Sequence, residues 1–126
     1  MRDYVDIIYN EKDRPFTTYP SKLIKHLIQK YNLKKGNKIL EIGCGRGEWI
    51  NQFIQNGFDG YGCDISNYSS ETLPQGKFYK LDILKDSMPF SNESFDIIFT
   101  KSFIEHFYFP EDIIKISYNL LKKGGV

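Results

Sequence analysis

The stretch Lys38-Ile39-Leu40-Glu41-Ile42-Gly43-Cys44-Gly45-Arg46-Gly47-Glu48-Trp49 decides how this chain folds. It begins with a short apolar run of the kind that forms a buried strand. Glycines follow at alternate positions 43, 45 and 47, and the segment behind them has helical apolar spacing. Glycine at such a turn tolerates positive φ and lets a ligand approach the backbone, because no Cβ stands in the way. The helix behind the turn offers unpaired N–H groups and the positive end of its dipole. Strand, glycine turn and helix together predict a pocket for a nucleotide cofactor.

Upstream, Ser21 is placed to cap a helix from Lys22 to about Leu33, with Leu23, Ile24, Leu27, Ile28 and Tyr31 on one apolar face. Behind the turn, a helix from about Glu48 to Asn56 buries Trp49, Ile50, Phe53 and Ile54, and Gly57 stops it. Gly60 to Ile65 is a second strand carrying Asp64 near its end, and Lys77 to Ile83 is a third, carrying Asp82. Ser69 to Thr72 forms a single turn between them, and Met88 to Ser94 forms a loop. Phe95 to Thr100 is a fourth strand. A last helix runs from Pro110 to about Lys123, with Glu111 and Asp112 suiting its dipole and Ile113, Ile116, Leu120 and Leu121 facing inward. This alternation predicts an α/β fold, a doubly wound parallel sheet with helices on both faces.

A chain of 126 residues bounds one domain, here a core over residues 21–126 behind an N-terminal extension of residues 1–20. In that extension Tyr9, Arg14, Thr17 and Tyr19 either close a lid over the pocket or simply pack against the core. A net charge of +1 argues against a polyphosphate partner, and the lysine pairs Lys34-Lys35 and Lys122-Lys123 suit helix ends better than a nucleic-acid patch. The apolar stretches are shorter than a membrane span and the first residues lack a secretory signal pattern, so the predicted location is cytoplasmic. The two cysteines, Cys44 and Cys63, are too few for a disulfide framework and are expected to be reduced packing residues.

The dinucleotide pattern G-x-G-x-x-G would need glycine where Glu48 stands, and the third glycine, Gly47, comes one place early. No Lys-Ser or Lys-Thr follows, so the turn is not a P-loop either. The pattern present, E-x-G-x-G-x-G, resembles the first motif of the class I S-adenosylmethionine-dependent methyltransferases, and the resemblance extends over about residues 22–126. It implies S-adenosyl-L-methionine as cofactor and a Rossmann-like doubly wound parallel sheet of order 3-2-1-4, lacking the family's usual strands five to seven. By the same resemblance, the backbone at Gly43, Cys44, Gly45 and Gly47 wraps the methionine part of the cofactor. Glu41 either faces the cofactor or orders the glycine loop through backbone hydrogen bonds, and the second role is preferred. Asp64 corresponds to the acid that takes both ribose hydroxyls, which suits a carboxylate because it only accepts. Ile65 corresponds to the apolar contact with adenine. Asp82, with Ile83 beside it, corresponds to the acid that accepts from the adenine amino group. Ser102 to Phe107 resembles the loop after strand four, with Ser102 on the cofactor side, and Leu121 to Gly125 resembles the turn before strand five. An order ending at strand four leaves that strand with an uncovered edge, an invitation to self-association.

The resemblance further implies methyl transfer to an oxygen or nitrogen of a small-molecule acceptor. A sulfonium is already an activated methyl donor, so the protein mainly has to hold the acceptor close, aligned and dry. A base helps where the acceptor must lose a proton. His106, oriented by Glu105, is the candidate, and a purely structural role for this histidine stays open beside it. The proline-rich box of amino-methylating DNA and protein enzymes is absent, since Thr100-Lys101-Ser102-Phe103 occupies its place. The alternative function is a non-catalytic cofactor-binding module that acts through a partner chain.

Overall fold

Strand β1 (Lys38–Ile42) forms the centre of the sheet, and Ile39, Leu40 and Ile42 are at most 1% exposed. In this computed structural model, which describes residues 20–126, β1 is flanked by β2 (Asp59–Asp64) and β4 (Ile97–Phe99), with β3 (Phe78–Lys80) beyond β2. All three pairings are parallel and the order is β3-β2-β1-β4, as expected. Tyr9, Arg14, Thr17 and Tyr19 lie outside the described residues.

Because successive side chains of a strand point to opposite faces, β1 serves two cores. On one face Ile39 meets Ile24 of α1 (Ser21–Lys30) and Ile50 and Phe53 of α2 (Glu48–Gln55). On the other, Leu40 and Ile42 meet Ile113 and Leu120 of α3 (Pro110–Leu120). No helix follows β3; instead Phe90 of the connecting loop packs edge-on against Tyr79 at 4.8 Å and Phe95 at 5.0 Å, covering that face with aromatic rings. Among the described residues no helix is long and apolar enough to cross a membrane.

Strand β4, expected from Phe95 to Thr100, spans only Ile97–Phe99, and β2 is shifted by one residue to Asp59–Asp64. Four other boundaries differ from expectation for a visible physical reason. Helix α1 starts at Ser21 itself, with Pro20 at the N-cap and the Pro20 carbonyl accepting the Ile24 N–H, so the Ser21 hydroxyl caps nothing. It ends at Lys30 because Asn32 turns to a φ of 52°. Strand β3 ends at Lys80: the Leu81 N–H still bonds Asp64, but the Asp82 carboxylate then accepts the Leu84 N–H and turns the chain away. Helix α3 ends at Leu120 rather than near Lys123, because Leu121 is extended and pairs in parallel with Phe95.

That last pairing narrows the expectation of an uncovered β4 edge, although β4 remains the edge strand of the sheet. Lys122 N–H donates to Phe95, Val126 N–H donates to Asp96 at 3.0 Å, and Ile98 N–H donates to Val126 at 2.9 Å. These are ladder bonds of a parallel strand pair, and they satisfy the first part of the edge within the chain. Asp96 also fastens the start of β1, accepting the Lys38 N–H on Oδ2 at 2.7 Å.

Candidate cofactor site

The C-terminal ends of β1 and β2 build the site. Gly43 N–H and Cys44 N–H both donate to the Cys63 carbonyl, at 2.8 and 3.1 Å, which ties the turn to β2. Gly43 has a φ of 74°, a region that favours glycine. Gly47, at φ 81°, is the N-cap of α2. A Cβ on Gly47 would lie 3.2 Å from Ser69, Thr72 and Leu73, so this glycine is needed for packing behind the turn. The Ser69 hydroxyl donates to the Gly45 carbonyl and the Thr72 hydroxyl to that of Arg46. The single turn expected near Ser69–Thr72, found as a 3-10 helix at Tyr68–Ser70, thus clamps the glycine turn from behind.

Asp64, the last residue of β2, is 3% exposed. Its Oδ2 accepts the Gly45 N–H and its Oδ1 accepts the Ser66 N–H, both at 2.9 Å. These two bonds fix the plane of the group. Glu41 is 2% exposed, and its Oε1 accepts the Ile50 N–H of α2 at 3.1 Å. The bond holds Glu41 to the first turn of α2 rather than to the glycine turn itself. Burial pushes the Glu41 carboxyl well above the usual range; the Ile50 N–H opposes that, Asp64 adds to it, Lys101 opposes it and Glu48 adds to it.

These groups open on a cavity of about 520 Å³. Glu41, Gly43, Cys44, Gly45, Asp64 and Ile65 line it. Asp82, Ile83, Ser102 and His106 line it as well, so ten of the twelve residues expected from the sequence come together. Gly47 does not, for the packing reason above, and Glu105 does not line the cavity either. Ile65 and Leu84 are apolar lips, 57% and 46% exposed, above the buried Ile83. Asp82 lines the cavity while its Oδ1 accepts the Leu84 N–H at 3.1 Å.

Beyond β4 the chain passes through Ser102 at φ 52°, then Phe103, a one-turn 3-10 helix Ile104–His106, and Phe107. The His106 and Glu105 side chains are 71% and 58% exposed and approach only to 4.0 Å. Sequence reasoning missed Lys101, Phe103 and Phe107 and assigned Trp49 to the core, yet all four line the cavity. Lys101 Nζ stands 4.9 Å above the Trp49 ring, a cation–π contact. The one available signal was the pair of aromatics four residues apart around Glu105-His106. Cys44 is pushed well above the usual thiol range by burial, and Cys63 up to about 12 for the same reason. Both therefore stay protonated and take no nucleophilic part.

A family model described as a methyltransferase domain matches residues 11–126. The chain belongs to this methyltransferase family. It is 27% identical to a sarcosine/dimethylglycine N-methyltransferase from Aphanothece halophytica, over 94% of this chain and 46% of that protein. The chain thus spans about half the length of that curated relative. A solved structure of a putative S-adenosyl-L-methionine-dependent methyltransferase from Methanococcus maripaludis superposes with a TM-score of 0.80 at 14% identity, covering 99% of this chain and 63% of that one. A putative methyltransferase solved in complex with the Haloferax volcanii Trm112 methyltransferase activator superposes with a TM-score of 0.76 at 19% identity, covering 99% of this chain and 58% of that one. The fold is that of the class I S-adenosylmethionine-dependent methyltransferases, with four strands of the sheet described.

Proposed function

We propose that the cavity binds S-adenosyl-L-methionine and that the chain carries the donor half of a methyltransferase acting on an oxygen or nitrogen of a small molecule. The observation that carries this reading is the convergence of an oriented carboxylate, a Cβ-free turn and two apolar lips on one cavity. Each suits a different part of that cofactor. The Asp64 carboxylate suits vicinal ribose hydroxyls, with Gly45 and Ser66 fixing its plane. Ile65 and Ile83 suit the faces of a flat heterocycle, and Asp82 lies beside them to accept from its amino group. The backbone at Gly43, Cys44 and Gly45, with Ser102 across from it, suits the amino-acid end.

When bound, the cofactor supplies a methyl group activated by a sulfonium. The protein then has to exclude water and hold the acceptor in line. His106, at the cavity wall, accepts the proton an oxygen or nitrogen acceptor must lose, and Glu105 orients it. The free thiols of Cys44 and Cys63 fit a reducing compartment, and we place the protein in the cytoplasm.

Calorimetric titration with S-adenosylhomocysteine and with NAD tests the cofactor. Binding of the first alone is expected; binding of NAD alone overturns the reading. An acceptor screen starting with sarcosine and dimethylglycine, named for the Aphanothece halophytica relative, then tests transfer. The Haloferax volcanii complex supports a second reading, in which this chain works with a partner protein. Cofactor binding without transfer to any acceptor, restored by a co-purifying chain, would favour that reading.

A further inference from the structure

The space that Gly43 clears is not empty. A Cβ on this residue would lie 2.2, 2.5 and 2.7 Å from Cδ2, Cγ and Cε2 of Phe103. The aromatic ring of the loop after β4 therefore rests directly on the bare Cα of the turn, and both residues line the cavity. A ligand that approaches Gly43 from the side a Cβ would occupy has to move this ring.

We propose that Phe103 is a gate seated on the glycine turn, displaced when the cofactor enters, and that its displacement repositions His106. The proposal rests on the cofactor reading above. Three features make the ring movable and couple it to the histidine. Phe103 is only half-buried, with Phe107 edge-on at 4.8 Å as its aromatic neighbour. The residue before it, Ser102, is held at a φ of 52°, which costs a serine free energy and is relieved by rotation there. The Phe103 carbonyl accepts the His106 N–H at 3.1 Å, so ring and histidine ride on the same short turn. Glu105 and His106 are exposed, so swinging that turn costs the packing of Phe103, Ile104 and Phe107 against the core and no buried contact of the two polar residues.

A closed gate lowers the apparent cofactor affinity by the fraction of molecules that are open. It also orders the reaction: the His106 turn takes its working position only after the cofactor is seated. Phe103 is thus a positioning residue for the acceptor side and a kinetic barrier on the donor side.

Trp49 is the single tryptophan and lines the same cavity, so its fluorescence reports ligand entry. Stopped-flow mixing with S-adenosylhomocysteine should give two phases in the wild type, the slower one with a rate that plateaus at high ligand. Phe103→Ala should abolish the plateau and speed association at least tenfold. Phe103→Leu should fall between, and it serves if the alanine variant does not fold. Two unchanged phases in both variants would overturn the gate. Gly43→Ala should weaken binding through its clash, and Gly43→Ala with Phe103→Ala should recover part of the loss. No recovery would show that the ring is not what fills that space. Equilibrium calorimetry separates the two levels: binding with a single phase in every variant overturns the gate alone, whereas no binding by the wild type overturns the cofactor reading as well.

Discussion

Asp64 and His106 line the same cavity, yet Asp64 is 3% exposed and the His106 side chain 71% exposed. Around Asp64 everything is doubly held: its two oxygens accept backbone N–H groups, and the turn it grips is fastened from behind by Ser69 and Thr72. His106 approaches Glu105 only to 4.0 Å, and both side chains are largely exposed. The proposed donor side is thus built into the ends of β1 and β2, where sheet and backbone hydrogen bonds fix it. The proposed acceptor side rides on a loop, where chemistry varies without disturbing the sheet.

The strongest way to break this contrast is at His106. His106→Ala should lower methyl transfer by ~10²–10⁴-fold if the side chain is the base, and leave the urea midpoint where it was. Turnover that is unchanged at saturating cofactor removes the base role and leaves the histidine a wall of the pocket. A shifted urea midpoint would show that the loop is tied into the fold after all.

Asp64 should behave in the opposite way, losing stability and binding together. Asp64→Ala leaves the Gly45 and Ser66 N–H groups without their acceptor in a buried place. The expected loss is about 2–3 kcal/mol of folding free energy, the usual range for bonds to a charged group. Calorimetry should show S-adenosylhomocysteine binding lost with it. Asp64→Asn should recover part of the stability and little of the binding. Equal stability in wild type and Asp64→Ala would mean that the turn holds its shape without the carboxylate.

The contrast also separates what was legible in the sequence from what was not. The strands, the glycine turn and Asp64 were readable because each is announced locally, by an apolar run ending in glycine or in an acid, while the strand order came from the family resemblance. Three things were not. Gly47 looked like a ligand-facing glycine, but its need is set by Ser69, Thr72 and Leu73, which are remote in sequence. Helix α3 looked longer, because nothing local shows Leu121 being drawn out to pair with Phe95. The ring of Phe103 on Gly43 belongs to the same class, since spacing alone does not show a contact between two loops.

Glu41 gives a smaller effect with a definite sign. Its folded carboxyl holds a proton above the pH at which the unfolded chain has released it. The folded state then binds more protons, so stability falls as pH rises from the ordinary glutamate value toward the raised one, by no more than about 1.4 kcal/mol per pH unit. Glu41→Gln keeps an acceptor for the Ile50 N–H and removes the proton. Its melting temperature should match the wild type in acid, exceed it near neutrality and lose the slope. A slope that survives the substitution would have to come from another group.

The smallest effect is expected at Ser102, and it tests whether the acceptor loop stores strain. A serine at φ 52° pays roughly 1–2 kcal/mol for the left-handed region, and glycine pays about 0.5–1 kcal/mol in chain entropy for being ordered at all. Ser102→Gly should therefore stabilise the fold by less than about 1 kcal/mol, read as a small rise in the urea midpoint. The hydroxyl is exposed and its only hydrogen-bond partner among the described residues is Lys101 at 3.4 Å, so its loss adds little. A gain accompanied by slower transfer would mean that the left-handed turn holds the His106 segment in place for the reaction. A gain with transfer unchanged would confine the strain to the route of the chain. A loss of stability would show that the Ser102 side chain, exposed as it is, ties the acceptor loop to the rest of the molecule, and the difference between the two sides of the cavity would narrow accordingly.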